Sequence, residues 1–167
     1  MDLTIIKPKK YKVETQHDIY NLKFTLESFA FLEERLDSVE NALELFNSSD
    51  IKVIPIFFEA GLVHTKCSHN ILKMLENVDL YGLASVISKV LNDTLTSEFD
   101  FDKKFDWPRL YFIAKFILNL SEEEFWNSTP KKILTMMKMF EKEKKDNNMK
   151  NYKKAIRTNT LKSSACE

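Results

Sequence analysis

The chain has 167 residues, enough for one domain or two small ones, and its 44% apolar and 30% charged content describes an ordinary globular protein rather than a disordered one. Two Gly and four Pro exclude a turn-rich all-β architecture and point to helices. The formal net charge is zero but polarised: residues 1–100 carry 10 Lys/Arg against 16 Asp/Glu, and residues 101–167 carry 15 against 9, which suggests two modules with different partners and gives little overall drive toward nucleic acid.

Tyr11-Lys12-Val13-Glu14 and Tyr20-Asn21-Leu22-Lys23-Phe24 alternate apolar and polar residues, which predicts a short hairpin within residues 3–24. Thr25 then caps an amphipathic helix to Leu36, with Leu26, Phe29, Phe31, Leu32 and Leu36 on its apolar side. A second helix covers Val39–Phe46. Asp50 opens a third, apolar on most sides, with Pro55 near its first turn. Gly61 is expected to end that helix in a left-handed conformation. Ser68 is expected to open a fourth, with Ile71, Leu72 and Leu75 inward. Asp79 opens a longer fifth to about Leu95, where Leu80, Leu83, Ala84, Ile87, Val90 and Leu91 fall at helical spacing.

Periodicity is lost over residues 96–106, the expected module boundary. Asp106-Trp107-Pro108 starts the next helix, through Leu118. Ser121 with Glu122, Glu123 and Glu124 reads as a capping box for a helix over 122–127, and Thr129-Pro130 starts the last one. Ile133, Met136, Met137 and Phe140 give that helix an apolar face. The sequence beyond Glu141 is polar and basic, either a solvated helix or a frayed one, and TNTLKSSACE is expected to be disordered. The expected domains are therefore 1–96, a helical domain with its hairpin; 97–106, a linker; 107–140, a small helical module; and 141–167, a basic tail. The fold class is mainly α.

Chemistry is sparse. His64, Cys67 and His69 are good zinc ligand types, but they are three, at a spacing that fits no common zinc pattern. No nucleophile elbow, phosphate loop or dinucleotide fingerprint occurs. Glu33-Glu34 and Glu122 to Glu124 read as solvated or helix-start carboxylates. No catalytic residue, metal or cofactor is assigned. Lys142, Lys144, Lys145, Lys150, Lys153, Lys154 and Arg157 could contact nucleic acid, but Glu141, Glu143 and Asp146 dilute them and Tyr152 is their one aromatic neighbour. Met136, Met137 and Met139 suit an adaptable docking surface or plain packing. Cys67 and Cys166 form no disulfide framework, which implies a reducing, cytosolic compartment. The opening MDLTIIKPKK lacks a leader's apolar core, and the apolar run around Pro55 and Glu59 is too short to span a bilayer.

Two stretches carry a family likeness. FTLESFAFLEERL followed by IPIFFEAGLVH resembles the amino-terminal domain of tail assembly chaperones of long-tailed phages and prophages, with Glu59-Ala60-Gly61-Leu62 as its apolar-Ala-Gly-Leu signature. WPRLYFIAKFILNLSEEEFWNSTPKKI resembles the carboxy-terminal extension of the same family, whose hallmark is Phe125-Trp126, two residues, then Thr129-Pro130. The likeness spans roughly residues 10–140. Two positions depart from it: Lys131-Lys132 replace a common acidic residue, and Asp37 stands where a Gly often follows the first helix.

The resemblance implies a non-enzymatic protein that binds the tail tube protein and the tape measure protein, prevents premature tube polymerisation in the bacterial cytoplasm, and is absent from the finished virion. It implies a longer product made by frameshifting, for which Lys103-Lys104 could mark the slip site. Partner contacts are then expected at Trp107, Phe125, Trp126, Thr129, Pro130, Met136, Met137 and Phe140, with self-association left open. The competing readings are a helical adaptor or regulatory protein using its basic tail on nucleic acid, and a metalloprotein built on His64, Cys67 and His69.

Overall fold

The computed structural model describes residues 11–15, 18–65, 70–95 and 106–163, without the side chains of 147–163. The described chain is mainly α, with an antiparallel hairpin of β1 (Tyr11–Glu14) and β2 (Ile19–Leu22) in the register Tyr11 to Leu22 and Val13 to Tyr20. Then come α1 (Leu26–Leu36), α2 (Val39–Asn47), a 3-10 turn (Ile51–Val53) leading into α3 (Ile54–Leu62), and α4 (Ile71–Met74). These are followed by α5 (Leu80–Thr94), α6 (Trp107–Phe112) with a π turn over Ile113–Ile117, α7 (Glu122–Trp126) and α8 (Pro130–Ser163). None of the described helices is long and apolar enough to cross a membrane. Two compact units divide between Ile133 and Leu134, inside α8.

In the first unit α3 is the hub. Phe57, Phe58, Ala60 and Leu62 are buried, and the helix touches α1, α5, α4 and β2. Phe24, Phe29, Leu32, Val39, Ala42, Leu83, Ile87 and Val90 complete the main core. Caps follow the sequence closely. Thr25, Ser38, Asp79, Asp106 and Ser121 each accept a backbone N–H of the helix they precede, and Thr129 does so for α8. Residues 107–133 belong to this same unit and bring further buried side chains, Ile113, Ala114, Phe125 and Ile133. Most of the expected 97–106 linker lies outside the described residues, as does Lys103-Lys104.

Several expectations need correction. Gly61 does not end its helix in a left-handed conformation: it has no positive φ and lies inside α3, which runs on through Leu62 into the turn Val63–Thr65. Its value is space. A Cβ built there would stand 2.9 Å from Leu22 Cδ2, so the missing methyl lets β2 lie against the helix. The β2 end is fastened at the same place by the Lys23 N–H, which donates to the Gly61 carbonyl at 3.1 Å.

Helix α4 is capped by Asn70, whose side chain accepts from the Lys73 N–H; Ser68 lies outside the described residues. Ile71, Met74 and Leu75 share the inward face of this single turn, while Leu72 points to solvent. On α1, Phe31 and Leu36 are only partly covered, and the Arg35 guanidinium lies 4.9 Å from the Phe31 ring centroid. Helix α8 continues through Ser163, into the stretch expected to be disordered, because nothing after Pro130 breaks it: no Gly or Pro follows. Asp37 adopts φ 66 at the end of α1, the backbone that a Gly would take without strain.

Gly61→Ala is expected to lower stability by about 1 kcal/mol, since overpacking costs roughly 1–3 kcal/mol and improved helix propensity returns only about 1. Urea unfolding at unchanged m reads this directly. An Ala chain more stable than the native one would mean that Leu22 has room to step aside.

Candidate interaction surface

The residues expected to meet a partner divide into several structural roles. Ser121 and Glu124 form the anticipated reciprocal cap, with the Glu124 carboxylate accepting from the Ser121 N–H at 2.8 Å and the Ser121 hydroxyl accepting from the Glu124 N–H at 3.1 Å. These bonds to Ser121 hold the Glu124 carboxyl below its ordinary range, against a small opposing effect of desolvation, with Lys132 adding to them. The cap sets the short helix that aims Phe125 inward. Phe125 is 2% exposed, packed edge-on against Tyr111 at 5.3 Å and against Trp126 at 4.9 Å. Pro130 is also buried.

Trp126 and Trp107 are partly covered, with ring centroids 6.0 Å apart. The Trp107 indole N–H donates to Glu33 Oε2 of α1 at 2.5 Å. Thr129 accepts from the Lys132 N–H as the cap of α8. In the second unit, Met136 and Met137 are partly exposed, and Phe140 is exposed beneath the Lys144 ammonium, 5.7 Å from its ring centroid. The corner formed by Phe125, Trp126 and Pro130 is thus chiefly a joint of the fold.

That joint closes on the start of α1. The Leu26 N–H donates to the Ser128 carbonyl at 2.9 Å, and Lys23 Nζ donates to the Asn127 carbonyl at 2.9 Å. An ammonium at the carboxy end of α7 complements that helix's dipole. Burial, with the charge of Lys132 as a second cause, lowers the Lys23 pKa.

A group of exposed apolar side chains lies beside this corner, at residues that sequence reasoning passed over. Phe112 is 55% exposed, Phe116 72% and Ile117 38%, and the two Phe rings lie 5.0 Å apart at 36°. The signal was present. Residues 110–118 are apolar nearly all the way round, with Lys115 the one charge, and a helix at the edge of a small domain can bury only one side.

Of the zinc candidates, Cys67 and His69 lie outside the described residues, and no group of three His, Cys, Asp or Glu able to hold a metal occurs among the described ones. His64 follows α3, with a buried Nδ1 that has no hydrogen-bond partner among the described residues. Burial lowers its pKa, the Lys23 charge lowers it further, and the Gly61 carbonyl works weakly the other way. Comparison with protein-family models, curated proteins and solved structures yields no match to this chain.

Phe125→Ala should cost about 3–5 kcal/mol of unfolding free energy, whereas Phe112→Ala should stay within about 0.5 kcal/mol. Equal losses in urea titrations would refute this division into scaffold and surface. His64 gives a pH test. Because the folded chain disfavours its imidazolium, the unfolded chain takes up the proton first, and stability should fall as pH drops below the ordinary value of 6.5 toward the lowered folded one. His64→Gln should flatten that window; the Glu124 contribution enters only below its ordinary value of 4.5.

Proposed function

We propose that this chain is a non-enzymatic tail assembly chaperone of a long-tailed phage or prophage. In this role it holds the tail tube protein soluble in the bacterial cytoplasm, meets the tape measure protein, and leaves before the virion is complete. The observation that carries the reading is the uncovered Phe112–Phe116 surface: a small helical protein that leaves stacked aromatic rings in water offers them to another chain.

The resemblance supports the partner's class. The Ala60-Gly61-Leu62 signature lies where β2 rests on α3, and the Phe125-Trp126 to Thr129-Pro130 motif lies where the chain turns back onto α1. Both stretches of the resemblance therefore fall at positions with a reason to be specific. A binding role of this kind needs apolar surface and a rigid frame, with no acid, base or metal.

Co-expression with the tail tube protein of the same genome, followed by size-exclusion chromatography with light scattering, tests the reading. A soluble complex with unpolymerised tube protein is expected. If neither the tube protein nor the tape measure protein co-elutes, the reading fails. Steep salt-dependent DNA binding that disappears on deleting residues 141–167 would replace it with the nucleic-acid adaptor.

A further inference from the structure

We propose that the face formed by Phe112, Phe116 and Ile117 docks an apolar segment of a partner protein that carries carboxylates beside its apolar side chains. The proposal rests on the chaperone reading and adds the surface and the chemistry of its occupant.

The face lies along a π turn. Ile113 is 9% exposed and Ala114 is buried, whereas Ile117 is 38% exposed, and the Leu118 N–H reaches back to the Ile113 carbonyl at 3.0 Å in a five-residue step. Asn119 then stops the helix at φ 53, and the Leu120 N–H closes on the Ala114 carbonyl at 2.9 Å. A π turn has poorer hydrogen-bond geometry than the α-helix it interrupts, and such turns are frequent at functional sites. Ile117 is the third apolar side chain of the uncovered surface.

Charge selects the occupant. Between Trp107 and Leu120 the charged residues are Arg109 and Lys115, both exposed and both cationic. The carboxylates that follow belong to the start of α7, where the helix dipole accommodates Glu122 and Glu123 and the Ser121 N–H holds Glu124. A second copy of this chain meeting face to face would set Arg109 and Lys115 against their own equivalents, since a twofold contact pairs a patch with itself. A partner segment with Asp or Glu flanking its apolar side chains meets the same rim with opposite charge, which favours correct encounter and register.

The test uses the full chain co-expressed with the tail tube protein. It compares Phe112→Ser combined with Phe116→Ser, Arg109→Glu combined with Lys115→Glu, and Leu72→Ser as an exposed apolar control on another helix. Circular dichroism of each variant confirms folding. Co-eluting tube protein should drop at least about tenfold for the double Phe change. It should drop for the charge reversal too, stay level for Leu72→Ser, and weaken with salt for the native chain.

A complex that both double variants leave intact overturns the docking face while the chaperone reading stands. If the native chain co-elutes with neither the tube protein nor the tape measure protein, the reading fails and the docking proposal with it. A native dimer turned monomeric by the double Phe change would make a second copy the occupant and overturn the partner segment.

Discussion

Leu26, Ser28 and Phe29 in the first turn of α1 are buried, and burial of a helix start is the constraint around which the first unit is arranged. Its first amide groups have no partner within the helix. Thr25 and Ser28 exchange side-chain and backbone bonds, and the Leu26 N–H is satisfied from a hundred residues away by the Ser128 carbonyl. Ser128 can supply that carbonyl only because α7 ends just before it and Thr129-Pro130 turns the chain into α8. Lys23 binds the adjacent carbonyl of Asn127. The amino-terminal helices and the Phe125–Trp126 corner are therefore completed by one another, with Trp107 on Glu33 as a further tie.

This arrangement sorts the aromatic residues by what they do. Phe24, Phe29, Phe57, Phe58 and Phe125 are fixed within the frame: Phe24 meets Phe29 and Phe57 at tilted angles, and Phe58 and Phe125 meet Tyr20 and Tyr111 edge-on. Phe112 and Phe116 stack on each other outside it. A rigid frame beneath an apolar surface lowers the cost of ordering on association, which is how a small protein can hold a larger one without enclosing it.

Much of the frame was legible in the sequence, since its signals are local. The hairpin, the caps at Thr25, Asp79, Asp106, Ser121 and Thr129, and the inward face of α5 follow from periodicity and side-chain chemistry within a few residues. What was missed depends on distant neighbours. Gly61 reads as a helix stop until Leu22 is seen to need its space. The π turn has no signature of its own in the sequence. Phe125 and Trp126 drew notice as a likeness, but burial of Phe125 comes from Tyr111 and the joint around it. Of the zinc candidates only His64 lies among the described residues. Partner identity leaves no local trace, so it rests on the family resemblance.

The pairing of Trp107 with Trp126 has a consequence for observation. These are the chain's two tryptophans, their rings are 6.0 Å apart, and one indole N–H is bonded to a carboxylate. Tryptophan emission thus originates at the corner where α6, α7 and α1 meet, while the hairpin and α5 carry tyrosines but no tryptophan. Loosening of this corner would alter the indole environment even where backbone helicity is retained. The molecule carries its own optical gauge at the joint that adjoins its exposed face.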